Sequence, residues 1–148
     1  MLDGLVAELS DITRKADDGY VQRFDETLSR IVALDDRKCI GLLLPFFDDD
    51  AEYDEMMFSI VHAIERFDDE TYVREIMANL ATFYARSPRW AVIVHMRILN
   101  SPATLTAYEA RLKNLSDPQK QVVSDVLNAV RRKNAKFDLP CNKLLSML

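Results

Sequence analysis

Hydrophobic residues recur along most of the chain at intervals of three and four positions, which is the period of an amphipathic α-helix. Four segments show this spacing clearly: Leu2, Leu5, Val6, Leu9 and Ile12; Val21, Phe24, Leu28, Ile31 and Val32; Met57, Ile60, Val61 and Ile64; and Val73, Ile76, Met77 and Leu80. Each segment is therefore predicted to form a helix with one buried stripe.

Proline marks three further helix starts, in the pairs Ser87–Pro88, Ser101–Pro102 and Asp117–Pro118. The first side chain of each pair can cap free backbone N–H groups, and proline in the first turn loses no hydrogen bond. The segment from Trp90 to Leu99 is rich in valine and isoleucine, as strands are, but its length and its Ser-Pro start favour a helix. This helix is predicted to be apolar on most sides.

The predicted helices follow one another at a regular spacing, with starts near residues 54, 70, 88, 102 and 118. Short loops between helices of similar length place consecutive helices side by side as antiparallel hairpins. We therefore expect an all-α fold, with the hairpins stacked as a short HEAT-like α-solenoid, and a compact helical bundle fits the same pattern. A chain of 148 residues can bury a sizeable core as one domain, residues 1–148, without disulfides or a structural metal.

Charge is distributed unevenly, although the net charge is only −5. Residues 1–75 carry 20 acidic and 8 basic side chains, and residues 76–148 carry 4 and 11. So many like charges in one half form either a solvated face that keeps the protein soluble or a docking surface for a cationic partner. Nucleic acid is not expected as a partner of the acidic half, because a polyanion would be repelled.

The helix that follows the densest acidic stretch brings an aromatic residue into the acidic region. If Met57, Ile60 and Ile64 face the core, then Phe58 and His62 lie on the opposite side. Phe58 is then either an exposed anchor for a partner or is packed under a neighbouring helix. The predicted partner-binding residues are Asp48, Asp49, Asp50, Glu52, Asp54, Glu55, Phe58, His62, Glu65, Asp68 and Asp69.

Catalytic and metal-binding patterns do not emerge from the sequence. An EF-hand loop that began at Asp48 would need glycine and glutamate where Tyr53 and Ser59 stand. His62 lacks the preceding glutamate of a helical di-iron motif, and His95, on an apolar helix, is predicted to be a hydrogen-bonded core histidine. With three widely spaced glycines there is no phosphate-binding loop. We expect no enzymatic activity, no catalytic residues, no metal and no cofactor.

The sequence also favours a soluble cytoplasmic protein. The longest uncharged run, Cys39 to Phe47, has nine residues and contains Pro45, which is too short for a membrane span. Asp3 and Glu8 stand where a signal peptide would have basic and apolar regions. The two cysteines lie far apart outside any metal-binding motif, as expected of reduced thiols in the cytosol.

Three stretches together resemble the immunity protein 30 family of bacterial polymorphic toxin systems. They are the segment Met56 to Phe67 (MMFSIVHAIERF), the segment Pro88 to Ala91 (PRWA), and the ending Arg97 to Asn100 (RILN). The likeness extends over residues 28–115, and the chain is also similar in character to immunity proteins of contact-dependent growth inhibition. The resemblance implies a small cytosolic helical protein that is encoded beside a toxin, binds the toxin's C-terminal domain and blocks it.

These observations give one functional hypothesis and two rivals. The hypothesis is a non-catalytic immunity protein whose acidic face covers the basic active-site cleft of a toxin, and a nuclease is expected because nucleases need basic clefts for phosphates. The first rival is a helical-repeat adaptor that binds a cellular protein and has no toxin. The second is an enzyme or metal protein assembled from residues far apart in sequence.

Overall fold

The protein consists of ten α-helices and no strands. The computed structural model describes all 148 residues. The helices are α1 (Leu2–Lys15), α2 (Tyr20–Ala33), α3 (Lys38–Leu43), α4 (Asp54–Ile64), α5 (Asp69–Ala78), α6 (Leu80–Arg86), α7 (Pro88–Leu99), α8 (Pro102–Leu112), α9 (Asp117–Lys133) and α10 (Asp138–Ser146). This confirms the predicted all-α fold. None of the helices combines the length and the apolar character needed to cross a bilayer.

The chain divides into two compact units, an N-terminal unit, Met1–Phe67, and a C-terminal unit, Asp68–Leu148. In the N-terminal unit α2 packs against α1 and α4, and α3 packs against α1 and α4. In the C-terminal unit α7 packs against α6, α8 and α9, while α5 packs against α8 and α10 against α9. This helical packing is compatible with stacked hairpins and with a bundle. The organisation of residues 1–148 as a single domain stays a prediction.

Most residues of the predicted apolar stripes are buried, whereas Leu2, Val6, Ile12 and Val21 are half-buried. In α4 all four predicted positions, Met57, Ile60, Val61 and Ile64, are buried, as are the neighbouring Met56 and Ala63. Burying one such large aliphatic side chain contributes roughly 1.5–3 kcal/mol. The helix is therefore buried over a wider face than a single stripe.

The predicted helix starts agree with the structure to within one residue, but the predicted caps are wrong. Ser87 and Ser101 precede α7 and α8, yet neither side chain makes a cap hydrogen bond. The Ser101 hydroxyl bonds instead to Thr104 Oγ1, at 2.9 Å. The cap of α9 is Ser116 rather than Asp117, because Ser116 and Gln119 form a capping box in which each side chain accepts from the other's backbone N–H.

One predicted helix is in fact two. The pattern from Val73 to Leu80 predicts a continuous helix, whereas α5 ends at Ala78 and α6 begins at Leu80. Asn79 lies between them, and its side-chain amide donates to the Glu75 carbonyl oxygen at 2.7 Å. An asparagine side chain that bonds a backbone carbonyl of the preceding turn competes with regular helical hydrogen bonding, which explains the interruption.

The core of the C-terminal unit contains one buried polar pair, His95 and Tyr108. His95 Nδ1 lies 2.8 Å from the Ala91 carbonyl oxygen, and Nε2 lies 2.9 Å from the Tyr108 hydroxyl. Because a carbonyl only accepts, Nδ1 carries the proton and Nε2 accepts from Tyr108. Burial lowers the pKa of His95 to about 4, so the ring is neutral near pH 7. His95 is thus a hydrogen-bonded core histidine, as predicted.

Replacing Tyr108 by phenylalanine should destabilise the C-terminal unit by about 1–3 kcal/mol, because Nε2 of His95 would be left as a buried acceptor without a donor. Urea unfolding followed by the fluorescence of Trp90, the only tryptophan and a buried residue of the same unit, measures this. Tyr84→Phe is the matched control and should change the unfolding free energy by less than about 0.5 kcal/mol. An equal effect of both substitutions would contradict the assigned hydrogen bond.

Stability of the C-terminal unit should fall as the pH drops from about 6.5 towards 4. The unfolded chain then protonates His95 with the ordinary histidine pKa of 6.5, whereas the folded chain holds the ring neutral down to about 4. This difference in proton binding should lower the free energy of unfolding by about 2 kcal/mol between pH 7 and pH 4.5. Trp90-detected urea unfolding at both pH values tests it, with His95→Gln as the comparison. The variant should lose less stability than the wild type over the same interval.

Candidate partner-binding site

The N-terminal unit carries most of the negative charge. Residues 1–67 contain 16 acidic and 7 basic side chains, a net charge of −9, whereas residues 68–148 contain 8 and 12, a net charge of +4. Nine of the eleven predicted partner-binding residues belong to the N-terminal unit. Because like charges at this density repel one another, the unit gains from the approach of a cationic surface.

The acidic loop before α4 has a defined conformation. The Asp48 carboxylate accepts a hydrogen bond from the Asp50 backbone N–H at 2.9 Å, and the Asp48 carbonyl oxygen accepts from the Ala51 N–H at 3.1 Å. The Asp48 N–H itself donates to the sulfur of Met57, a buried residue of α4. Asp48 therefore shapes the loop, whereas Asp50 is held with its side chain exposed to solvent.

Two tyrosines lie together beside this loop, and neither is among the site residues predicted from the sequence. The rings of Tyr20, the first residue of α2, and Tyr53, the residue before α4, have centroids 6.3 Å apart. Gly19 precedes Tyr20 with a φ of 76°, a left-handed conformation that favours glycine and sets the start of α2. Tyr53 is 40% exposed. An aromatic pair on an acidic unit is thus accessible to a partner.

Glu52 connects the two tyrosines electrostatically. Its charge and its hydrogen bond raise the pKa of the Tyr53 hydroxyl. The pKa of Tyr20 is also raised, first by burial and then by Glu52. A carboxylate beside a phenol disfavours the phenolate and accepts a hydrogen bond from the neutral hydroxyl. Tyr20, Glu52 and Tyr53 therefore form one cluster, which we call the tyrosine cluster.

The outer side of α4 is mixed in exposure. Asp54 and Glu55 are exposed in the first turn, where negative charge interacts favourably with the helix dipole. His62 is exposed, and Glu65 is half-buried. Phe58 is also half-buried, with its ring centroid 6.4 Å from that of His62. The exposed aromatic side chain among these carboxylates is therefore Tyr53 rather than Phe58.

Asp68 and Asp69 belong to the C-terminal unit, where both make structural hydrogen bonds. The Asp68 carboxylate caps α5 by accepting from the Thr71 backbone N–H at 3.0 Å, and the hydrogen bonds with Thr71 lower the pKa of Asp68. Asp69 accepts from the Thr104 hydroxyl of α8 at 2.6 Å. These two carboxylates hold the start of α5, a function that does not depend on a partner.

A shallow groove lies between α2 and α4. It has a volume of about 230 Å³ and is lined by Asp25, Leu28, Ser29 and Val32 of α2 and by Ser59, His62, Ala63 and Arg66 of α4 and the residues just after it. The tyrosines meet at the N-terminal ends of the two helices, and the groove lies nearer their C-terminal ends. The two helices therefore run in the same direction, and we call the tyrosine cluster and this groove together the α2–α4 seam.

The seam presents several kinds of polar side chain. They are carboxylates, phenols, serine hydroxyls, one imidazole and the guanidinium of Arg66. No group of three or more His, Cys, Asp or Glu side chains is arranged to hold a metal ion. The thiols of Cys39 and Cys141 are free and buried, and burial raises the pKa of each to about 11. Thiols in such surroundings are poor nucleophiles.

Comparison with known protein families gives a match. The family model described as Immunity protein 30 matches residues 12–108, which is more than half of the chain. The matched region contains all eleven predicted partner-binding residues and both tyrosines of the tyrosine cluster. No curated protein and no solved structure matches the chain.

The tyrosine cluster can be tested through the titration of its phenols. Glu52→Gln removes the charge that disfavours the phenolate, so the pKa of Tyr53 should fall towards its ordinary value of 10 and that of Tyr20 should fall less, because burial contributes most to it. Titration of specifically ¹³C-labelled tyrosine followed by NMR resolves the five phenols. The control is Glu26→Gln, at an exposed position of α2 six residues after Tyr20. An unchanged Tyr53 titration in Glu52→Gln would contradict the cluster.

Proposed function

Since the chain belongs to the immunity protein 30 family, we propose that it binds and neutralises the C-terminal toxin domain of a cognate polymorphic or contact-dependent growth inhibition toxin. The toxin domain is a nuclease in this proposal. The family match over residues 12–108 carries the assignment to toxin immunity. The net charge of −9 on the N-terminal unit is the observation that favours a nuclease.

Charge complementarity links the acidic unit to this class of toxin. A nuclease must hold phosphate groups, so its active-site cleft is basic. An acidic protein surface is attracted to such a cleft before contact and excludes the nucleic acid that the cleft would otherwise bind. Neutralisation of this kind needs no chemical step from the immunity protein. Occupation of the cleft is sufficient.

The proposed contact surface lies on the N-terminal unit, on the acidic loop and the outer side of α4. It comprises Asp48, Asp49, Asp50, Glu52, Asp54, Glu55, Phe58, His62 and Glu65. Asp50 and Glu55 are exposed, and Asp50 takes part in the hydrogen bonds of the loop through its backbone N–H and not through its carboxylate. They are therefore the positions at which charge can be changed with the least effect on folding.

Reversing both charges, with Asp50→Lys and Glu55→Lys, should slow association with the toxin domain encoded beside this chain by at least about tenfold at low ionic strength. The difference should shrink as salt rises from about 0.05 M to about 0.5 M, because screening removes the long-range attraction. Stopped-flow or surface plasmon resonance measurements of the association rate constant test this prediction.

The control is Asp3→Lys together with Asp125→Lys, on α1 and α9. It changes the net charge by the same amount, and Asp3, like Glu55, lies in the first turn of its helix. This control should associate at a rate much closer to that of the wild type. If both pairs slow association equally, the effect depends on net charge alone and the proposed surface is wrong. If Asp50→Lys/Glu55→Lys associates as fast as the wild type, the proposed surface is also wrong.

A further inference from the structure

We infer that the tyrosine cluster at the N-terminal end of the α2–α4 seam is the anchor point for an arginine side chain of the toxin domain. The inference rests on the proposed function and adds to it a residue pair, Tyr20 and Tyr53, that the acidic surface does not include. It also names the chemical group that the pair accepts, a guanidinium.

The ring of Tyr53 is available to a partner and is already held in place. It is 40% exposed, contacts the Tyr20 ring with an interplanar angle of 48°, and is linked to Glu52. A tyrosine whose orientation is set before binding loses little conformational entropy on contact. Tyrosine is also among the residues enriched at the energetic centres of interfaces.

The charges around the ring favour a cation over an apolar group or an anion. Glu52 and Glu55 both act electrostatically on the Tyr53 hydroxyl, which places two carboxylates near the ring. A guanidinium can stack on an aromatic face and at the same time donate several hydrogen bonds to carboxylates. A lysine ammonium is more strongly hydrated and lacks the planar fork, so it satisfies only the charge.

The rest of the seam suits the residues that flank such an arginine. The groove between α2 and α4 combines apolar and polar lining, with Leu28 and Val32 beside two serines. It also holds one carboxylate, Asp25, and one guanidinium, Arg66, so the groove suits uncharged flanking residues and the cation belongs at the tyrosine cluster. Backbone and small polar groups of an extended or helical segment can hydrogen-bond to the serine hydroxyls. The proposed occupant of the seam is therefore one cationic segment of the toxin domain, with its arginine on Tyr53.

The anchor and the acidic loop should affect different steps of binding. Long-range charge speeds association and is screened by salt. A stacked and desolvated contact forms only after the surfaces meet, so its loss speeds dissociation and depends weakly on salt. This difference separates the inference from the charge hypothesis on which it rests.

The test is Tyr53→Ser, measured against the toxin domain encoded beside this chain. Serine is a preferred residue at the position before a helix, so this variant removes the ring while supporting the start of α4. The dissociation constant should rise by at least about tenfold, mainly through faster dissociation, and the rise should persist at about 0.5 M salt. Tyr53→Phe keeps the ring and should bind within about threefold of the wild type.

Leu42→Ala provides the matched control, because Leu42 is a similarly exposed large side chain of the same unit, at 37%. It should leave the dissociation constant nearly unchanged. Far-UV circular dichroism checks that each variant is folded. If the wild type binds the toxin domain and Tyr53→Ser weakens binding by less than about tenfold, the anchor is wrong while toxin immunity stands. If the wild type does not bind, the proposed function itself is wrong.

The arginine is identified by double-mutant cycles. Each arginine of the toxin domain is changed to lysine, which keeps the charge, and combined with Tyr53→Ser. One arginine should show coupling of at least about threefold in the dissociation constant, and the others should show none. Absence of coupling at every arginine would overturn the assignment of a guanidinium.

Discussion

Packing of α2 against α4 is the contact on which the candidate site depends. Both helices bury apolar stripes, including Phe24, Leu28 and Ile31 of α2 and Ile60 and Ile64 of α4. Burial of each large side chain stabilises the unit by roughly 1.5–3 kcal/mol, which opposes the mutual repulsion of its carboxylates. The same packing brings together the N-terminal ends of the two helices, where Tyr20 meets Tyr53. A change that loosened this contact would therefore separate the tyrosines and widen the groove.

Charge and aromatic surface have separate roles on the N-terminal unit. The exposed carboxylates create a negative potential that acts over several ångströms, and their effect depends on ionic strength. The tyrosine cluster acts only at contact distance, where ring orientation and desolvation determine its contribution. Glu52 belongs to both, because its carboxylate is part of the acidic loop and raises the pKa of the two phenols. A partner with a cationic surface and a suitably placed arginine can use both.

The C-terminal unit shows that a distinctive sequence does not always mark a contact surface. The segment around Trp90 is part of the resemblance to the immunity protein 30 family, yet Trp90 and Ile98 are buried. His95 lies in the same helix and is neutral in the core, where it accepts a hydrogen bond from Tyr108. These residues specify how α7 packs against its neighbours. The burial of Trp90 and Ile98 therefore gives this segment a role in the core of the unit.

Local pattern in the sequence was sufficient for the helices, for most of their starts, for the core position of His95 and for the family. Helical periodicity and proline-marked starts are set by residues within about one or two turns of each other. Sequence alone did not reveal that Asn79 interrupts a helix, that Ser116 is the cap of α9, or that Asp68 and Asp69 have structural partners. Nor could it bring Tyr20 to Tyr53, 33 positions later, or set the half-burial of Phe58. Those features depend on which helix faces pack together, and burial of apolar surface between distant segments decides that only in the folded chain.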